Sequence, residues 1–421
     1  MKITTLSIGD ELIFGEVVDT NAAHIAERFF SVGLRVQRHL TVGDNEHDIM
    51  EAIEFLAEKC DAVVVTGGLG PTADDITARA AARVAGRRLV LNEDALAHLQ
   101  DFSEKTGGNF YSLNDKQALM PAKSTLIPNP LGTACGFSLT INGRFFFFLP
   151  GVPREMARML DDSVIPFIVP RVKRQKFMQT KVLKVFGPSE AEVDSLMKGI
   201  AEGVTGISIA FRVNFPEIQV KLRAEGYDEA LVAEALHRVS KTARQKLKGY
   251  IFAEDGETID TVVASLFRET GVSLSLAESC TGGLVAKRIT DVAGSSAYFR
   301  EGVVTYSNAA KAQILNVSQQ LLAEKGAVSS EVAMAMARGA RKLSGSDIAL
   351  AVTGIAGPDG GTAEKPAGTV YLALASPAAC QAKRYTFHGD REEIRLITSF
   401  IAMDWLRRQL LSMMGSAAVR E

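Results

Sequence analysis

Apolar and polar positions along the chain alternate between two periods, one of strands and one of helices. Residues 3–8 (ITTLSI) read as a strand, 21–32 as a helix and 34–39 as a second strand. Ile49, Ile53, Leu56 and Ala57 recur at helical spacing and predict a helix over 49–59. Ala62-Val63-Val64-Val65 is a continuous apolar run stopped by Gly67-Gly68, the pattern of a strand buried on both faces. The Phe-rich run 145–149, closed by Pro150-Gly151, reads as another, and its rings as core rather than a stacking platform. Strand and helix in alternation predict a parallel sheet covered on both sides.

This pattern is interrupted at 166–176 (PFIVPRVKRQK), where two prolines and a basic run mark a boundary. The next stretch predicts strands over 177–186, 207–213 and 218–224. It also predicts helices over 189–200, opened by a capping residue after Pro188, and over 229–247. That is a small α+β unit suited to linking or assembly. From residue 257 the α/β alternation returns, with strands at 274–277, 348–352 and 370–375 and a closing amphipathic helix at 394–411. The expected fold class is two three-layer α/β domains, 1–168 and 257–415, joined by a small α+β domain at 171–250.

Length and composition fit this division. At about 150 residues per domain, 421 residues suggest two or three domains. The 47 Lys+Arg nearly balance 49 Asp+Glu, a formal charge of -2. That excludes a strongly basic nucleic-acid binder and an acidic disordered tail. Basic patches occur in the middle region, but nucleic acid is not an expected partner. Cys60, Cys135, Cys280 and Cys380 form no CxxC pair, so neither a zinc knuckle nor a disulfide framework is expected. The six histidines show no HxH or HExxH spacing. Asp10 and Glu11 come too early for a signal-peptide core, and no run approaches ~18 apolar residues. A cytoplasmic protein without membrane contact is expected.

Candidate chemistry gathers after strands, where open α/β sheets collect ligands. The loop 66–75 (TGGLGPTADD) has the form of a phosphate cradle, in which glycines let backbone amides approach oxygens. Asp74 and Asp75, with Asp10 and Glu11 after the first strand, could hold a divalent cation that neutralises a diphosphate. The competing reading is a common Gly-rich turn whose Asp74-Asp75 cap a helix. It matches neither a GKS/GKT phosphate loop nor GxGxxG. The loop has an echo in Val352-Thr353-Gly354-Ile355-Ala356-Gly357-Pro358, by duplication or by convergence.

In the last region Ala277-Glu278-Ser279-Cys280-Thr281-Gly282-Gly283 spans a strand-to-helix turn. A hydroxyl nucleophile there meets the positive end of a helix and amides able to hold an oxyanion. Serine needs a base, and beyond residue 250 the one histidine is His388. A lysine of lowered pKa is the alternative, and Tyr306 and Lys311 in VVTYSNAAK are candidates, against a solvated helix lysine as the plain reading. Cys280 is an adjacent competing nucleophile, and spacing does not decide between it and Ser279.

Taken together the motifs resemble the competence/damage-inducible CinA family over essentially the whole chain. The first region, with TGGLGPTADD, NDKQALMP, NPLGTACGF and LPGVPREM, is similar to a molybdopterin-binding-type domain. The middle one sits where that family has a KH-like linker that helps it dimerise. The third, with AESCTGG, VTYSNAAK and VTGIAGPDGG, resembles a nicotinamide mononucleotide amidase domain.

The resemblance implies a bifunctional pyridine-nucleotide salvage hydrolase. One domain would convert nicotinamide mononucleotide to nicotinate mononucleotide and ammonia, with no cofactor. Ser279 would be the nucleophile, Lys311 its base and Tyr306 a hydrogen-bonding assistant. Amides of Thr281, Gly282 and Gly283 would hold the oxyanion. Thr353, Gly354 and Gly357 would hold the ribose phosphate, with Ser296 and Arg391 as further contacts. The other domain would hydrolyse ADP-ribose to AMP and ribose 5-phosphate with a divalent metal ion (Co, Mn or Mg), and potassium as an additional cation. Thr66, Gly67, Gly68, Gly70 and Thr72 would bind that nucleotide, and Asp74, Asp75, Asp10 and Glu11 the metal. A pterin phosphate is the rival ligand, and a non-enzymatic competence factor the rival reading of the chain. Cys135 stands where the family commonly has proline. A homodimer is implied.

Overall fold

The computed structural model describes residues 1–106, 112–174 and 176–417. Gln175, inside the expected boundary, lies outside the described residues. The chain folds into two compact units, Met1–Gln179 with Ala224–Ala235, and Thr180–Arg223 with Leu236–Glu421. The middle region has a four-stranded sheet and an apolar core of its own, the small α+β domain expected.

The strands of the first unit are β1 Ile3–Ile8, β2 Val36–Val42, β3 Ala62–Thr66, β4 Leu89–Leu91, β5 Leu119–Pro121, β6 Thr125–Ile127, β7 Gly136–Ile141 and β8 Arg144–Leu149. Its main sheet runs β2-β1-β3-β8-β7-β6. The pairings β1–β2, β1–β3 and β3–β8 are parallel, but β7–β8 and β6–β7 are antiparallel. The expected all-parallel sheet is therefore mixed, because the two-residue turn at Asn142-Gly143 admits only a hairpin.

Both faces are covered, as the apolar runs require. Val63 and Val65 pack with Ile49, Ile53 and Leu56 of the helix Glu46–Lys59, while Ala62 and Val64 pack with Ile25 and Phe29 of the helix Thr20–Ser31. Phe146 and Phe148 face one side and Phe147 the other, all at 3% exposure or less, so the Phe run is core.

In the second sheet, β9 Phe177–Val185, β10 Ile207–Asn214, β11 Glu217–Gly226 and β12 Ile251–Glu254 are ordered β10-β11-β9-β12. Ser189 opens the helix Glu190–Met197 with a reciprocal capping box to Glu192, the start expected after Pro188. The third sheet comprises β13 Leu274–Glu278, β14 Phe299–Val304, β15 Ile348–Gly354, β16 Thr369–Ala375 and β17 Cys380–Thr386. It is ordered β14-β13-β15-β16-β17, with the first three parallel and the last two antiparallel. In β15 Ile348, Leu350 and Val352 face the helices Ile259–Thr270 and Arg391–Ala417, and Ala349 and Ala351 face the helix Ser330–Ser344. Small residues on that second face let a long helix lie close. Among the described residues no helix is long and apolar enough to cross a membrane.

Candidate active site at the carboxyl ends of the strands

Ser279 is the first residue after β13, and its N–H still pairs with Val352 O of β15 at 2.9 Å. Thr305, just after β14, donates its N–H to Glu278 O at 2.8 Å. These bonds put the end of β13 beside the segment Thr305-Tyr306-Ser307. Ser307 then caps the helix Asn308–Leu315 by accepting the Ala310 N–H, which turns Lys311 inward.

Lys311 is 1% exposed, so it is not a solvated helix lysine. Its Nζ lies 2.8 Å from Thr305 O, 3.3 Å from Tyr306 O and 3.0 Å from Ser279 Oγ. No carboxylate pairs with it among the described residues, and burial pushes its pKa below the ordinary lysine value. Lys311 Nζ donates to all three oxygens; deprotonated, it would keep its two hydrogens for the carbonyls and offer a lone pair to the Ser279 hydroxyl.

The competing nucleophile is removed by the fold. Cys280 is 5% exposed within the apolar core, and burial pushes its thiol up to about 12. Of the two candidates, Ser279 is the one whose side chain faces Lys311. Tyr306 touches Lys311 only through its backbone carbonyl. Its ring is exposed, and its hydroxyl accepts from Arg391 Nη2 at 2.9 Å. Arg391 Nη1 also donates to Gly357 O at 2.8 Å, so Tyr306, Arg391 and Gly357 come together.

Three expected roles change. The N–H of Gly282 is donated to Ser279 O and that of Gly283 to Glu278 Oε2, so neither amide is open to an oxyanion in this arrangement. Thr353 is 1% exposed and its hydroxyl donates to Ala327 O at 2.9 Å, which ties β15 to the segment before the helix Ser330–Ser344 instead of facing a ligand. Ser296 lies in the turn before β14, whose first residue pairs with Leu274 at the amino end of β13. Five residues of strand, about 16 Å, separate that end from Ser279. Gly354 is glycine for packing, since a Cβ there would meet Thr369 O at 2.8 Å.

Two residues that the motif reading passed over hold this turn. Glu278, 1% exposed, accepts N–H bonds from Gly283, Val285 and Ala286 at 3.0, 3.2 and 2.7 Å. A carboxylate satisfying the open donors of a helix start is a strong, charge-assisted arrangement. Arg395 donates to Thr281 O from Nε and Nη2 at 3.2 and 2.9 Å. Glu278 was visible inside the motif AESCTGG, whereas Arg395 carries no local signal.

In the first unit the loop after β3 forms a wall of a pocket of about 490 Å³. Thr66 is buried at the end of β3, and Gly67 has φ of +101°, with Ile8 O where a Cβ would stand. Thr77 donates its hydroxyl to Gly67 O at 3.0 Å and its N–H to Gly68 O at 3.2 Å. Asp75 Oδ2 accepts both the N–H (2.8 Å) and the hydroxyl (2.6 Å) of Thr72. The helix Thr77–Val84 begins without a side-chain cap, so Asp74 and Asp75 do not cap it, and Asp75 braces the loop around Gly70.

Asp10 and Asp44 hold each other, each carboxylate accepting the other's backbone N–H at 3.0 and 2.9 Å. Burial, and then the charges of Asp10, Glu11 and Asp74, raise the Asp44 pKa against the Asp10 N–H bond. Asp44 was missed, although it follows β2 as Asp10 follows β1. Among the described residues no three His, Cys, Asp or Glu side chains converge as a metal-ligand group. Asn129 is fully buried and its side chain bonds Ala134 O, Glu155 Oε2 and the N–H groups of Leu131 and Gly132, which accounts for the asparagine of NPLGTACGF. Cys135 is buried in the core beside it.

Against known proteins, this chain is 78% identical over 413 residues to a CinA-like protein of Geotalea uraniireducens (strain Rf4), covering 98% of each. The chain belongs to the CinA family. A CinA-like protein of Geobacter sulfurreducens is 59% identical, covering 98% of this chain and all of that one. Family models match in order: "Probable molybdopterin binding domain" over 4–170, "Damage-inducible protein CinA KH domain" over 180–253 and "CinA C-terminal domain" over 256–410. A crystal structure of a CinA superfamily protein of Klebsiella pneumoniae is 38% identical over 37% of this chain and 96% of that one, with a TM-score of 0.36.

Proposed function

We propose that the CinA C-terminal domain is a serine amidase that deamidates nicotinamide mononucleotide to nicotinate mononucleotide and ammonia. The observation that carries this reading is a buried lysine with no counter-ion among the described residues, whose Nζ faces Ser279 Oγ at 3.0 Å. Lys311 takes the Ser279 proton as Oγ attacks the carboxamide carbon. The same proton leaves with ammonia as the tetrahedral adduct collapses to an acyl-enzyme. Lys311 then deprotonates the water that releases the carboxylate and restores Ser279. Arg391, joined to Tyr306 and Gly357, would supply a fixed cation for the ribose phosphate.

For the first domain we propose metal-dependent hydrolysis of ADP-ribose in the pocket beside the loop 66–75. The absence of a three-carboxylate cage is compatible with this. A hard cation such as Mg²⁺ is commonly held by one or two carboxylates plus the phosphate oxygens of its ligand. One or two of Asp10, Asp44 and Asp74, whose charges add to burial in raising the Asp44 pKa, would hold it, and its charge would neutralise the diphosphate.

The deciding assay is ammonia release from nicotinamide mononucleotide by chelator-treated protein. Release is expected, and Ser279→Ala abolishes it. A folded wild-type protein that releases none would demote the reading to binding or regulation.

A further inference from the structure

The second unit contains a cavity of about 490 Å³ that neither proposed reaction uses, between the β10–β11 hairpin, β17 and the helix Arg391–Ala417. Its walls are aromatic: Phe215 at the hairpin tip, Tyr385 and Phe387 stacked on one another, and Trp405. Phe215 is 46% exposed.

The polar groups around this cavity are nearly all donors. Lys383 Nζ sits 4.6 Å from the centre of the Trp405 ring and has no ion pair among the described residues. The one carboxylate, Asp404, is occupied on Oδ1 by Arg407 at 2.7 Å and on Oδ2 by Arg408 at 2.6 Å. With two arginines and Lys383 around one aspartate, the surroundings keep an excess of positive charge. Burial, and then Asp404, push the Tyr385 phenol up, so it stays protonated and remains a donor. Neither that hydroxyl nor the Trp405 indole N–H has an acceptor among the described residues.

A cavity of nucleotide size, with ring faces on its walls and unpaired donors between them, lacks a flat ring and an anion. We propose that it is a third ligand site, separate from both reaction centres, for an aromatic nucleoside monophosphate. The ring lies against Phe215 and the Tyr385–Phe387 pair, and the phosphate meets Lys383 and the free Nη1 of Arg408. The proposal does not rest on either activity.

Trp405 is the one tryptophan in the chain, so intrinsic tryptophan emission reads this cavity alone. The full-length protein is titrated with AMP, with ribose 5-phosphate as the probe without a ring and adenosine as the probe without an anion. AMP is expected to quench or shift the emission saturably, ribose 5-phosphate to leave it unchanged, and adenosine to act only weakly. Lys383→Ala is expected to weaken AMP about tenfold, the worth of one well-placed charge contact, while ammonia release from nicotinamide mononucleotide continues. No spectral change with AMP up to millimolar concentration overturns the site, as does a change that Lys383→Ala leaves untouched. An emission that varies with protein concentration alone, and not with AMP, assigns the face to a second copy of the chain and also overturns the proposal.

Discussion

At residue scale, Lys311 illustrates how strongly burial changes meaning. In VVTYSNAAK it is an ordinary lysine on a short helix, but 1% exposure with no counter-ion among the described residues suits it to the base proposed above. Its depressed pKa has a stability consequence whose sign can be worked out. Between the folded pKa and the ordinary 10.5, the unfolded chain binds a proton that the native state does not. Stability therefore rises with pH across that window, and below it the cost of the buried group is fully present. Lys311→Met, similar in shape and uncharged, should cut amidase turnover about 10²–10⁴-fold. It should also raise the melting temperature at neutral pH and flatten the pH dependence, which calorimetry across the window will read. In the wild type the acid limb of kcat/KM should follow the lowered Lys311 pKa. Glu278→Gln probes the turn from its other side. An amide offers one acceptor oxygen where the carboxylate offers two, and its NH₂ would oppose a backbone donor. Turnover should fall about 10–100-fold by misplacing Ser279, with KM nearly unchanged. An equal change in both constants would deny Glu278 a positioning role.

At the scale of elements, the two strand-to-loop echoes show why similar sequence need not mean similar shape. In the first, Gly67 and Gly68 have positive φ, whereas in the second Gly357 does and Gly354 does not. The loops bend at different glycines because β3 has parallel neighbours on both sides while β15 has the antiparallel β16 on one. In the first loop Asp75 is a brace. Asp75→Ala should free Thr72 and impair ADP-ribose hydrolysis, and unimpaired metal-dependent cleavage would remove the carboxylate from the mechanism. In the second sheet, Arg244 and then Lys181 hold Glu254 at about 2, on a carboxylate only partly exposed. Its contribution is present above the unfolded value of 4.5 and is lost as pH falls through about 2. Glu254→Gln should lower stability at neutral pH and weaken the acid dependence of unfolding between those values, a difference that denaturant titration at a series of pH values will register.

For the whole molecule, the two proposed sites lie in separate compact units, and independent chemistry is expected of them. Ser279→Ala should abolish ammonia release while ADP-ribose hydrolysis continues, and Asp75→Ala should do the reverse. Loss of both activities in a folded single variant would contradict that independence. The division of labour was legible in the chain because it depends on local information. Period-2 and period-3.6 patterns placed β3, β8, β13 and β15, each within a residue or two. Capping residues such as Ser189 marked a helix start, and glycine motifs marked the loops. The candidates Ser279 and Lys311 were legible for the same reason, since each lies in a short motif beside a strand end. Sheet order, including the antiparallel β7 and β16, was not legible, because pairing partners are set by contacts between distant segments. Nor was the choice between Ser279 and Cys280, adjacent residues that only packing separates, one turned toward Lys311 and one into the core. The same holds for Arg395 on Thr281, for Asp44 on Asp10 and for Thr353 turned away onto Ala327. Sequence by itself determined which residue types were available and where the chain would bend. Tertiary structure alone decided which of them lose water, because desolvation depends on what the rest of the chain brings alongside, and desolvation is what lowers the Lys311 pKa.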